Sequence, residues 1–157
     1  MQLIIADLLK FLKNGGTFDV ETFRQAVQTM ITAQDILVDN SSYPTEKITQ
    51  NARDYRELGL GYANLGALLM ASGIPYDSDE GRAIAGTITS LMTGEAYRTS
   101  AILSQISGPF AGYRRNEVPM LRVIEKHKNA SERLVQAIKA TDILKDQNLI
   151  DTSLQVW

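Results

Sequence analysis

Hydrophobic residues recur at helical spacing along most of the chain, and the clearest case follows Asp19. The apolar positions of residues 20–38 fall on one stripe with a period near 3.6 residues. Asp19 is a favourable N-cap residue, and Asn40-Ser41-Ser42 interrupts the pattern. The pattern therefore predicts an amphipathic helix over residues 20–38.

The longest predicted helix extends from about Asp79 to Ser107, with Asp77 or Ser78 at its start. Three glycines interrupt it, and each costs about 1 kcal/mol relative to alanine in a helix interior. Tolerance of three such residues indicates close contact with other helices. The glycines are Gly81, Gly86 and Gly94, and the apolar stripe consists of Ile84, Ile88, Leu91, Ile102 and Ile106.

The remaining predicted helices are shorter and leave little room for strands. No segment shows sustained alternation of polar and apolar residues, so we expect few strands. The pattern predicts a mainly α, bundle-like arrangement of about six to seven helices in a single domain, 1–157. The shorter helices are predicted over residues 3–13, 45–55, 62–73, 117–128 and 131–144, with a loop at 108–113 and a weak helical signal at 146–157.

Composition excludes several classes of chemistry. The 157 residues include no cysteine, which excludes disulfides, thiolate metal sites and a cysteine nucleophile in this chain. The net charge of −2 gives no overall attraction to nucleic acid or to a membrane. Asp7 and Lys10 interrupt the apolar opening residues, so we expect no signal peptide or membrane span there. A cytoplasmic location is the expectation.

The stretch ELGLGYANLG, residues 57–66, suggests a phosphate-binding loop because it holds three glycines. The dinucleotide fingerprint G-x-G-x-x-G lies between a strand and a helix. Gly59 and Gly61 match its first two glycines, but Asn64 occupies the third position and the next glycine is Gly66. The preceding residues are polar and helical in pattern. We therefore predict a packing role, with Gly59 and Gly61 in a turn and Gly66 allowing close helix contact.

Two further groups have a functional and a structural interpretation. Asp77, Asp79 and Glu80 precede Gly81 and resemble a short metal loop, but the ligand spacing of a calcium loop is missing. Acidic residues at a helix start stabilise the helix dipole, so capping is the favoured interpretation. His127, the single histidine, lies among polar residues, and we expect it at the surface.

Glu95 lies on the apolar stripe of the longest helix, so we expect it to be partly buried. A buried carboxylate needs a partner, and Arg98 or Arg56 is a candidate. A structural ion pair is favoured, while a functional contact, including carboxylate catalysis, stays open.

The last third of the chain is basic. Between Arg114 and Lys139 seven lysines and arginines face three glutamates, without interleaved aromatic residues. Nucleic-acid binding is therefore not expected.

Four segments together resemble one family in the same order along the chain. Residues 56–101 and 108–128 resemble the large chain of class II, adenosylcobalamin-dependent ribonucleotide reductases, and Leu8–Asp39 and Tyr43–Ile48 also fit that family. The resemblance implies a helical region from the α/β barrel of an enzyme that reduces ribonucleotides to deoxyribonucleotides by radical chemistry.

The residues that perform this chemistry in the family have no counterpart here. The radical-bearing cysteine lies in an N-P-C-S-E-type motif that this sequence lacks, and Met1–Ile5 occupy the place of the C-N-L-A-S-type run. The resemblance therefore carries over no catalytic residue, and we expect the chain to be inactive alone. It leaves a structural signature of Gly59, Gly61, Asn64, Gly66 and Glu95, with adenosylcobalamin as the cofactor of the parent enzyme only.

The expected partners follow from this interpretation. Apolar faces such as the stripe from Ile84 to Ile106 would meet the remainder of the barrel, or would drive self-association. The alternative function is a stand-alone interaction or regulatory module that binds reductase subunits or a nucleotide effector. An expressed fragment, one piece of a split gene and a degenerate relative all remain possible origins.

Overall fold

A computed structural model describes residues 2–14 and 16–157 of the chain. The described part is mainly α, as predicted, with six α-helices and one small sheet. The elements are β1 (Gln2–Asp7), a 3-10 helix (Leu8–Phe11), α1 (Val20–Asn40), α2 (Glu46–Tyr55), β2 (Leu58–Ala63), α3 (Leu65–Ala71), α4 (Asp79–Ser107), α5 (Tyr113–Thr141) and α6 (Gln147–Gln155).

The sheet consists of β1 and β2, which pair in parallel from Gln2 opposite Leu58 to Asp7 opposite Ala63. The prediction of a helix over residues 3–13 was wrong because its first half is β1, and only a 3-10 turn follows. The turn predicted at Gly59 and Gly61 was also wrong, since both lie within β2. Each strand is short and finds its partner more than fifty residues away, so local periodicity does not show the pairing.

The predicted starts of three helices are confirmed by their N-caps. The Thr22 amide donates to Asp19 Oδ1 over 3.2 Å, and the Ile48 amide donates to Thr45 Oγ1 over 3.3 Å. At α4 the cap is Ser78, whose hydroxyl accepts from the Gly81 amide over 3.0 Å. Local capping chemistry thus fixes where these helices begin.

Helix α5 is continuous, although two separate helices were predicted within it. No glycine or proline lies near Asn129, and Ala130 and Glu132 favour helix. Pro119 is accommodated near the start of α5. The result is a long antiparallel pair of α4 and α5, which the loop at 108–112 joins.

The core lies where α1, α4, α6 and the inner face of the sheet meet. Glycines of α4 allow this close packing, as predicted. An added Cβ at Gly86 would lie 2.8 Å from Leu134 Cδ2, and one at Gly94 would overlap Val156. Helix α4 leaves this core towards its C-terminal end. Ile88 and Leu91 are fully buried, but Ile106 is 78% exposed.

Among the described residues, no helix combines the length and apolar character that crossing a membrane requires.

Candidate functional site

The glycine-rich stretch forms β2 and its connection to α3. Asn64 has a left-handed backbone, with φ of 66°, at the point where the chain leaves the strand. Asparagine tolerates this conformation better than most residues. Gly66 lies in α3, where a Cβ would meet the Tyr76 ring at an ordinary 3.8 Å. Close packing therefore does not require glycine at position 66, contrary to the prediction.

The carboxyl ends of the two parallel strands are joined by a side-chain hydrogen bond. Asn64 Nδ2 donates to Asp7 Oδ1 over 2.9 Å, and the same oxygen accepts from the Leu9 amide over 3.1 Å. Asp7 thus caps the 3-10 turn after β1 and also fixes the turn after β2. This edge is where α/β proteins usually place their ligands. Sequence reasoning missed Asp7, because its role depends on the unrecognised strand.

Glu95 is fully buried and receives hydrogen bonds from two helices. Arg24 Nε donates to Oε2 over 2.8 Å, and Gln28 Nε2 donates to Oε1 over 2.8 Å, both from α1. Arg98, one turn further along α4, donates Nη1 to Oε1 over 3.0 Å. Arg98 is one of the two partners expected from the sequence. Arg24 was not expected, since it lies 71 residues away.

These contacts keep Glu95 ionised. Burial by itself raises the pKa of Glu95, but hydrogen bonds from Gln28 and Arg24, with the charges of Arg24 and Arg98, outweigh it. The pKa of Glu95 therefore lies below its ordinary value. A general acid or base near neutral pH needs a raised pKa and a free oxygen. Glu95 has neither property, and the arrangement suits a structural ion pair between α1 and α4.

Arg56, the other expected partner of Glu95, lies elsewhere. Its Nε donates to Asp35 Oδ1 over 2.9 Å and its Nη1 to Asp39 Oδ1 over 2.8 Å. Hydrogen bonding from Arg56 lowers the pKa of Asp39. Arg56 ends α2 in a left-handed conformation, with φ of 48°, two residues before β2. It therefore fixes the start of β2 against α1.

The acidic residues at the start of α4 bind Arg82. Its Nη1 lies 2.8 Å from Asp77 Oδ1 and its Nη2 2.5 Å from Asp79 Oδ1. Together with the Ser78 cap, these pairs support the capping interpretation. Across residues 2–14 and 16–157, no group of three His, Cys, Asp or Glu side chains is arranged to hold a metal ion.

His127 is exposed, as expected, and its ring stacks on Trp157 with centroids 6.4 Å apart. Trp157 Nε1 donates to Ser90 Oγ over 3.1 Å, which closes one side of a cleft between α4 and α5. The cleft has a volume of about 160 Å³. Ligand pockets typically measure 300–1,000 Å³, and adenosylcobalamin is larger than most ligands. This cleft does not fit that cofactor.

Comparison with known proteins identifies the family. Residues 4–149 match the model of the family described as "Ribonucleotide reductase, barrel domain". The chain is 53% identical over 134 residues to the vitamin B12-dependent ribonucleotide reductase of Streptomyces coelicolor. This alignment covers 83% of this chain and 14% of that protein. It is 51% identical over 128 residues to the vitamin B12-dependent ribonucleotide reductase of Rhodopirellula baltica, over 82% of this chain and 12% of that protein.

A more distant relative gives the widest coverage of these three. The vitamin B12-dependent ribonucleotide reductase of Agrobacterium fabrum is 38% identical over 162 residues, which cover 96% of this chain and 13% of that protein. The chain thus spans about one eighth of the length of each of these three relatives. By its barrel-domain match and these relatives, the chain belongs to the ribonucleotide reductase family and corresponds to a helical segment of the vitamin B12-dependent, class II branch.

Proposed function

We propose that this chain is the helical support of the barrel in a vitamin B12-dependent ribonucleotide reductase and supplies no catalytic side chain itself. The observation that carries the proposal is the bare outer face of the sheet. Leu3 is 61% and Ile5 56% exposed, whereas Ala6 is buried beneath them. Parallel sheets are normally covered on both faces, and two strands alone are marginal in water. The further strands of a barrel would cover this face.

The side chains described above suit a supporting role. The Glu95 cluster joins α1 to α4, Arg56 fixes the start of β2, and the Asp7–Asn64 bond fixes the ends of both strands. These three contacts hold the two strands at a constant position relative to the helices. A rigid base of this kind orients whatever is built on the carboxyl edge of the sheet.

The proposal assigns the chemistry to the rest of the enzyme. The sequence resemblance implies cysteine-based radical chemistry, and this chain contains no cysteine. Adenosylcobalamin, bound by the rest of the enzyme, would start that chemistry. The product class, deoxyribonucleotides for DNA replication, and a cytoplasmic location are part of the same proposal.

A segment exchange tests this function. The part of this chain that aligns with the Streptomyces coelicolor reductase, 83% of its length, would replace the matching residues of that enzyme. We expect the chimera to form deoxyribonucleotides with adenosylcobalamin, and this chain alone to form none. A matched chimera with Glu95→Ala should lose thermal stability together with activity. A folded chimera that binds cobalamin but is inactive would contradict the supporting role, as would turnover by the chain alone.

A further inference from the structure

The far end of the α4–α5 pair, which the Gly112 amide fixes to the Asp54 carbonyl at the end of α2, has an apolar and basic surface. Beyond Thr99 every residue of α4 is exposed or half-buried, and in α5 the first fully buried residue is Ser131. Large apolar side chains at this end are exposed: Ile102 by 41%, Ile106 by 78%, Val118 by 67% and Leu121 by 50%. Apolar surface that is grouped in this way usually meets a partner.

Basic side chains border these apolar residues. Arg114, Val118, Leu121 and Arg122 have the spacing of one helix face, and Arg115 is adjacent. None of these three arginines makes a salt bridge within the described part of the chain. Four other arginines form a salt bridge, and a fifth lies close to the carboxylate of one. Over its full length α5 has seven basic and three acidic residues, a net charge of +4. We call the surface formed by Arg114, Arg115, Val118, Leu121 and Arg122 the basic arm.

The N-terminal end of α4 is acidic, and the chain outside α5 is acidic as a whole. The rest of the chain has nine basic and fifteen acidic residues, a net charge of −6. At the start of α4, Asp77 and Asp79 expose 98% and 77% of their side chains and both pair with Arg82, so with Glu80 this end has three acidic residues against one basic residue. Met70 and Tyr76 beside them are 72% and 68% exposed. We call Met70, Tyr76, Asp77, Asp79 and Glu80 the acidic patch.

We propose that the basic arm of one copy of this chain docks on the acidic patch of a second copy. The two surfaces lie at opposite ends of α4, a helix of 29 residues that is about 40 Å long. They cannot meet within one molecule. Two basic arms would repel each other, so charge disfavours a symmetric pairing of arms and favours head-to-tail contact. The bare sheet face takes no part, so the proposal is independent of the barrel function.

Sedimentation velocity on the purified chain tests the proposal. We expect concentration-dependent dimers and larger species at low salt, and a shift to monomer near 1 M NaCl, where the Debye length is about 3 Å. The arm variant Arg114→Glu/Arg115→Glu/Arg122→Glu should lose the association. A matched control, Lys10→Glu/Lys47→Glu/Arg53→Glu, changes the net charge equally at other exposed positions and should retain it.

A mixing experiment identifies the two surfaces. The patch variant Asp77→Asn/Asp79→Asn/Glu80→Gln should also be monomeric alone. Mixed with the arm variant, it should form a 1:1 complex and nothing larger, because only one intact arm and one intact patch remain. Circular dichroism verifies that each variant is folded. A strictly monomeric native chain, association that persists in the arm variant, or a mixture without complex would each overturn the proposal.

Discussion

Arg24 Nε donates to Glu95 Oε2 over 2.8 Å and so joins α1 to α4 through a carboxylate that has no solvent exposure. Removing one partner of a buried ion pair leaves the other charge uncompensated and typically costs about 3–5 kcal/mol. Arg24 keeps 24% exposure and a contact with Glu21, so for Glu95→Ala we expect a loss at the lower end of that range, about 3 kcal/mol, in the free energy of unfolding measured by urea denaturation.

A matched control comes from the same cluster. Arg98 also binds Glu95, but 45% of its side chain is exposed. Exposed ion pairs contribute about 1 kcal/mol or less, so Arg98→Ala should cost much less than Glu95→Ala. Equal costs for the two variants would show that Arg24 and Gln28 on α1 add nothing to the stabilisation of the carboxylate.

The lowered pKa of Glu95 gives a pH dependence with a definite sign. Because the pKa is lower in the folded chain than its ordinary value of 4.5, the unfolded state binds the proton more tightly. The contribution of Glu95 to stability is complete above that ordinary value and falls as the pH drops through the folded pKa. We expect chemical denaturation of the native chain to show this loss in acid.

The Glu95→Gln variant isolates the contribution of this group. Asp39 also has a lowered pKa, because Arg56 donates to it, so the native curve contains more than one carboxylate. Stability of the glutamine variant should fall less steeply below pH 4.5 than that of the native chain. Parallel curves for the two proteins would rule out a lowered pKa at Glu95.

Gly94 should be intolerant of any side chain. A Cβ there would overlap Val156 and would lie 3.1 Å from Trp157 Cε2. Overpacking costs about 1–3 kcal/mol, against about 1 kcal/mol gained from the helix propensity of alanine. We expect Gly94→Ala to lower the thermal midpoint. At Gly61 nothing lies within 4 Å of an added Cβ, so Gly61→Ala should change it little.

Sequence reasoning succeeded where the signal is local. The starts of α1 and α2 depend on Asp19 and Thr45, which act within the first turn. The close packing at Gly86 and Gly94 was predictable because glycine lowers the stability of a helix and is kept where a neighbour leaves no room for a side chain. The family was also predictable, because it depends on the order of residues along four segments.

Sequence reasoning failed where the signal is distant. Ile4 and Ile5 favour a strand only when β2 lies beside them, and Arg24 reaches Glu95 across 71 residues. The Asp7–Asn64 bond joins residues 57 positions apart. Such contacts depend on the tertiary fold, so periodicity and capping rules do not contain them.

The nucleotide-effector alternative makes a measurable prediction. A ligand that binds only the folded state must raise its stability. The cleft beside Trp157, at about 160 Å³, is small for a nucleotide. If the chain has the supporting role proposed above, millimolar deoxynucleotides should not raise its thermal midpoint. A rise that depends on deoxynucleotide concentration would favour the regulatory module over the barrel support.

The exposed sheet face distinguishes the isolated chain from the assembled enzyme. Leu3 and Ile5 contact mainly solvent here, so Leu3→Thr/Ile5→Thr should change the unfolding free energy of this chain by less than about 1 kcal/mol. In the chimeric reductase the same side chains would be covered by neighbouring barrel elements. Their truncation should then cost about 2–5 kcal/mol and lower the thermal midpoint of the chimera. If the double substitution were equally mild in both proteins, the outer face of β1 would not be covered by the barrel.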